Sequence, residues 1–140
     1  MKGTWTGTYK YVTELNTKVS KIETLFTIII AEYDGLNFKG TVTDDLESGG
    51  TRGEGVIIGK LKEGKIEFVK QMPIATFFTK EAVQIEISKK HKPIYYSGIL
   101  NNGAFEGKWK IKGGILFHKS VLRISFGTFG EWKMHKISDL

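Results

Sequence analysis

The chain predicts an all-β fold: one domain over residues 1–140, an eight-stranded antiparallel up-and-down barrel. Three observations carry this. Apolar and polar residues alternate with a period of two in segment after segment, as in strands with one buried face. Turn signals containing Asp-Gly, Asn-Gly or paired glycines separate these segments at short intervals. No segment shows a sustained 3.6-residue apolar period with helix caps.

The elements follow in order. Trp5, Gly7, Tyr9 and Tyr11 share one face of a first strand that begins at Gly3, with Thr4, Thr6, Thr8 and Lys10 on the other. Leu25 to Tyr33 is a continuous β-branched and apolar run, ended by the hairpin signal Asp34-Gly35. Phe38, Gly40, Val42 and Asp44 then share a face, and the polar stretch Asp45 to Arg52 reads as a loop. Gly55, Ile57, Gly59 and Leu61 lead to a turn at Lys62-Glu63-Gly64-Lys65, and Ile66, Phe68, Lys70 and Met72 return from it. Pro73 ends that strand because proline cannot donate to a ladder.

Residues 74–92 are an insertion. Val83, Ile85 and Ile87 suggest one or two extra strands, while Thr79-Lys80-Glu81-Ala82 could start a short helix. Ile94, Tyr96, Gly98 and Leu100 restart the alternation, Asn101-Asn102-Gly103 turns it, and Phe105, Gly107, Trp109 and Ile111 alternate with Glu106, Lys108 and Lys110. Ile115 to Ser125 reads as a lead-in strand or a packed loop, and the last strand is expected from Phe126 to His135. Short connections favour antiparallel neighbours, hence a meander. Closing the meander removes its two exposed edges.

The totals agree with one soluble domain. A chain of 140 residues with 40% hydrophobic and 26% charged side chains can bury one proper core. It contains no cysteine, which excludes disulfides, thiol nucleophiles and thiolate metal sites and fits a reducing compartment, so a cytoplasmic location is expected. The longest apolar run, Thr27 to Ala31, is too short to span a membrane as a helix, and no signal peptide precedes the strand pattern. The formal net charge of +6 raises attraction to anions, but the lysines are scattered; their densest run, Lys89-Lys90-His91-Lys92, reads as a solvated loop or an anion-binding patch.

One device repeats: a large residue, a spacer, then glycine on the same face, as Trp5-Thr6-Gly7, Phe38-Lys39-Gly40, Ile57-Ile58-Gly59, Tyr96-Ser97-Gly98 and Phe105-Glu106-Gly107. With that face inward, glycine lets a strand coil strongly beside a ring, or leaves room for a ligand. The opening Gly3-Thr4-Trp5 resembles the calycin group of lipocalins, fatty-acid-binding proteins and avidins. The resemblance implies that Trp5 plugs the closed end of the barrel. It does not extend to ligand residues: the carboxylate-binding Arg-x-Tyr of the fatty-acid-binding proteins has no counterpart, Thr13 to Glu23 is short for their helical lid, and no helix follows the barrel as in lipocalins.

The expected function is binding of a small apolar or amphipathic molecule inside the barrel, without catalysis, cofactor or metal. The cavity would be lined by Trp5, Tyr9, Phe38, Asp44, Phe68, Lys70, Tyr96, Phe105 and Trp109. Asp44 and Lys70 each continue an apolar face and would need partners if buried, each other among them; they could instead sit at a rim or anchor a ligand head group. His91, His118 and His135 have no metal-site spacing, and His135 is the one position worth testing as a lone haem ligand of the kind nitrobindin-like barrels use. Nucleophile-elbow, Walker and His-Glu-x-x-His motifs are absent.

Two alternatives compete with the binding barrel. A filled-core interaction module, including a homodimer, is suggested by apolar residues assigned to the outer face: Phe26, Ile28, Ile30, Val56, Ile58 and Val69. A nucleic-acid binder ranks third, because basic and aromatic residues do not interleave on one outer face that the sequence identifies.

Overall fold

Alternation becomes strand throughout the computed structural model of the chain, which describes residues 1–12, 22–73, 75–78, 84–87, 92–112, 114–118, 121–125 and 127–139. In chain order the strands are β1 (Gly3–Tyr11), β2 (Glu23–Tyr33), β3 (Asn37–Asp44), β4 (Glu54–Lys62), β5 (Lys65–Gln71), β6 (Ala75–Phe78), β7 (Gln84–Ile87), β8 (Ile94–Asn101), β9 (Ala104–Ile111), β10 (Gly114–His118), β11 (Val121–Ser125) and β12 (Thr128–Ser138). Eight of them close an antiparallel barrel in the order β1-β12-β9-β8-β5-β4-β3-β2. The first and last strands pair with each other, which leaves the wall no free edge.

The insertion at 74–92 contains the hairpin β6–β7, and 115–125 falls in the hairpin β10–β11. No helix occurs among the described residues. The helix start expected at 79–82, residues 13–21, the Lys89-Lys90-His91 run and Phe126 lie outside the described residues.

Register sorts the connections between two ends. Both termini and the tight turns β2–β3, β4–β5 and β8–β9 gather at one end. At Glu63-Gly64 and Asn102-Gly103 both central residues have positive φ, from 52° to 80°, the two-residue turn that matches strand twist. The other end receives the long connections: 12–22, 45–53 and the two that carry the hairpins.

The interior is built from cross-strand rows in which a large side chain sits opposite a glycine. Ile66, Gly98, Gly107, Trp132, Tyr9 and Thr24 form one row, and Phe38, Gly59, Phe68, Tyr96, Trp109, Gly130 and Tyr11 the next. The repeated glycine therefore works across strands as well as along them. A Cβ at Gly98 would lie 2.8 Å from Cζ2 of Trp132, and one at Gly130 would lie 2.5 Å from Cε2 and Cζ2 of Trp109. Each indole lies against bare backbone, and its N–H reaches carbonyls of the wall: Trp132 Nε1 donates to Ser97 O at 3.0 Å and Lys108 O at 3.1 Å, Trp109 Nε1 to Lys10 O at 3.2 Å.

The space beside these glycines is thus occupied by neighbouring rings, as the tight-coiling reading of the repeated device expects. Gly107→Ala should be severe, since its Cβ would fall on the Ser97 carbonyl oxygen and 2.5 Å from the Gly98 Cα. We expect a loss of at least about 3 kcal/mol in denaturant unfolding. Gly35→Ala meets no atom within 4 Å and carries only the positive-φ cost, about 1–2 kcal/mol.

A second correction concerns β2. Phe26, Ile28 and Ile30 face inward and are buried, while Leu25 and Ile29 are exposed. A strand apolar on both faces offers no parity to read. Pairing decides it: Phe26 stands between Gly7 and Asp44, Ile28 between Trp5 and Val42, and Ile30 beside Gly40, all inward positions. Val56 and Ile58 are exposed on the outer face, and Val69 is half-buried there.

Candidate functional site

Alternation from Phe38 brings Asp44 to the inner face at the long-connection end of β3, and alternation from Ile66 brings Lys70 to the same end of β5. The two meet. Lys70 Nζ lies 2.6 Å from Asp44 Oδ1, with the side chains 2% and 0% exposed. Tyr9, inward on β1, donates its hydroxyl to Asp44 Oδ2 at 2.9 Å, and the Thr51 amide donates to the same oxygen at 3.1 Å. The ammonium also sits 4.7 Å from the centroid of the Tyr9 ring and 5.9 Å from that of Phe26. Among the described residues, no buried side-chain nitrogen or oxygen lacks a hydrogen-bond partner.

Burial dominates the electrostatics. It pulls the Lys70 ammonium below its usual range, and Asp44 pulls it part of the way back. It pushes the Tyr9 and Tyr96 phenols well above the usual 10, and the charge on Asp44 raises both further. The same two causes bring Tyr11 to about 12.

Residues 45–51 fold over this cluster. Asp45 N–H donates to Leu25 O at 2.8 Å, and Gly50 N–H to Asp45 O at 3.0 Å. Ser48 is tied to β2 twice: its carbonyl accepts from Thr24 Oγ1 at 2.8 Å and its hydroxyl accepts from Leu25 N–H at 2.9 Å. Gly50 allows the loop to seat directly on Asp44, for a Cβ there would collide with the Asp44 Cβ and stand 2.7 Å from Asp45 O.

All nine residues singled out from the sequence line the interior, but they do not form one site. Tyr9, Asp44 and Lys70 are one cluster. Trp109 leans edge-on against Tyr9 and Tyr11. Phe68 and Tyr96 stack with centroids 4.6 Å apart, and Phe38 meets Phe68 edge-on at 6.1 Å. Trp5 and Phe105 touch at 5.4 Å toward the tight-turn end, where Trp5 Nε1 donates to Met1 O at 2.9 Å. Trp132, which sequence reasoning passed over, lies at the centre of the ring cluster against Phe68 and Tyr96. Its signal was present as Gly130-Glu131-Trp132, the repeated device in reverse order. Thr51, also missed, contributes through its backbone, which side-chain patterns do not report.

No family model, curated protein or solved structure matches the chain. The site must therefore be read from its own chemistry. His135 is exposed on the outer face, between Thr6 and Ala104 of the neighbouring strands, and does not enter the interior. Among the described residues no group of three or more His, Cys, Asp or Glu is placed to hold a metal ion.

Grooves between described residues mark the outer wall, two of them charged. The first, of about 680 Å³, sets Lys10, Lys65, Lys108 and Lys133 against Glu23, Glu67, Glu106 and Glu131, so its charge balances. The second, of about 600 Å³, is lined by Lys60, Lys108 and Lys110 against Glu67 alone, with Val69, Tyr95 and Phe129 beside them.

Proposed function

We propose that this is a binding barrel that takes a small amphipathic molecule at its long-connection end, with the head group held at Asp44, Lys70 and Tyr9. The observation that carries the reading is the buried ion pair itself. A desolvated Lys–Asp pair contributes little net stability, and an apolar pair of similar volume would often serve the core as well. Here the pair has two further donors and lies directly beneath a loop that is hydrogen-bonded to β2.

The plan of the molecule supports the same end as the mouth. Trp5 is buried toward the end of tight turns, where the calycin resemblance of Gly3-Thr4-Trp5 expects it. Loops on a rigid scaffold are where binding groups concentrate, and the long connections gather opposite. The rings deeper in the barrel touch one another, so on this reading the apolar part lies at the mouth layer, beside the half-buried Tyr11 and Ile111. No helix among the described residues is long and apolar enough to cross a membrane. The cysteine-free composition supports a cytoplasmic setting.

Native mass spectrometry of the freshly purified protein should show a non-covalent small-molecule adduct. The Asp44→Asn/Lys70→Met double variant, which keeps an oxygen for Tyr9 and Thr51, should lose it while still folding. An apo mass for the wild type, or an adduct retained in full by the folded double variant, would overturn the reading.

A further inference from the structure

The outer wall carries a second set of placed side chains. Register aligns Lys39, Ile58, Val69, Tyr95, Lys110 and Phe129 in one row across six strands. Tyr95 and Phe129 both stand directly opposite Lys110, one on each side. Phe129 is 57% exposed and Ile58 58%. Lys112 Nζ lies 5.1 Å from the centroid of the Tyr95 ring. Basic and aromatic residues therefore do interleave on one outer face; the sequence hid this because the members of the row come from different strands.

Charge and topology select the occupant. The neighbouring groove is balanced, whereas this one has three lysines against one glutamate, with Lys112 added at its edge. A second copy of the chain would bring these lysines face to face in a two-fold contact. Strand addition by a peptide needs a free edge, and the closed wall offers none. A flexible polyanion with flat apolar faces satisfies both the lysines and the rings.

We propose that this face binds single-stranded nucleic acid, with bases on Phe129 and Tyr95 and phosphates on Lys60, Lys110 and Lys112. The two rings belong to strands separated by one strand, about 10 Å at the usual spacing. Stacked bases lie about 3.4 Å apart, so the bound strand is extended with its bases splayed. The site has no built hydrogen-bonding pocket for a base edge, and binding is indifferent to sequence. It is independent of the barrel interior.

The test is fluorescence anisotropy of the intact protein with labelled twelve-nucleotide oligo-dT and oligo-U, titrated against salt. Binding should weaken on adding salt with a log–log slope near about −2, the value for three phosphates on a single strand. Phe129→Ala should lower affinity about tenfold without moving the melting temperature, since the ring is exposed. Lys110→Glu should weaken binding further and flatten the slope, while Lys133→Glu in the balanced groove leaves both unchanged. Absence of binding, equal affinity for duplex of the same length, or an unaltered Phe129→Ala affinity would overturn the proposal. So would equally tight, Phe129-dependent binding of a poly-glutamate peptide or of anionic phosphatidylserine vesicles.

Discussion

Replacing Lys70 by methionine is expected to destabilise the barrel by about 3–5 kcal/mol, because Asp44 is then left buried with hydrogen bonds but no counter-charge. Asp44→Asn should cost a similar amount near neutral pH, since the ammonium loses its partner. That variant has a pH signature. Burial already lowers the affinity of Lys70 for its proton, and without Asp44 nothing offsets this. The unfolded chain then binds a proton that the folded variant releases. Its stability should therefore climb as pH rises toward the unfolded lysine value of about 10.4, by up to about 1.4 kcal/mol per unit.

The Asp44→Asn/Lys70→Met double variant removes both charges and keeps an oxygen for Tyr9 and Thr51. It should regain at least about 2 kcal/mol relative to the sum of the single losses, because each single change is costly mainly for the charge it strands. Denaturant unfolding of the four proteins at pH 7 measures the cycle. Simple additivity would show that the two groups are not coupled, and the site would lose its centre.

How much of this was legible follows from what a strand pattern encodes. Period two fixes which way a side chain points, so one charged residue ending an apolar stripe betrays itself, as Asp44 and Lys70 did. Their need for partners was legible for the same reason. The identity of the other groups was not: Tyr9 and Thr51 reach Asp44 from positions 35 residues before it and seven after it, through closure of the wall and folding of the loop. Phe26, Ile28 and Ile30 were misdirected because their strand is apolar on both faces. The glycines announced tight coiling, but only cross-strand register shows that Trp132 and Trp109 occupy the space they leave. The outer row from Lys39 to Phe129 is a product of that register as well. The two hairpins carry too few alternating residues for the sequence to separate strand from loop or helix.

Alkali should unfold the barrel through its inward-facing phenols. Tyr9 and Tyr96 are held well above 10 and Tyr11 at about 12, first by burial and then by the charge of Asp44. In the unfolded chain these groups ionise near 10. A folded-state value raised above the unfolded one means stability fully present below pH 10 and lost as pH rises, because the folded protein then holds protons that the unfolded chain has released. Each phenol contributes up to about 1.4 kcal/mol per pH unit above 10 until its folded-state value is passed, and the contributions of the three add. Lys70 acts in the opposite sense, but only below 10.5; above that pH the unfolded chain has released its proton too. The three phenolates should therefore appear in the ultraviolet spectrum together with loss of far-ultraviolet circular dichroism, at one midpoint. Tyr96→Phe, which removes one titrating group from the core, should shift that midpoint upward. Phenolate absorbance from all three rising smoothly around pH 10 while the circular dichroism stays native would mean that these rings meet water, and that the interior beneath residues 45–51 is open.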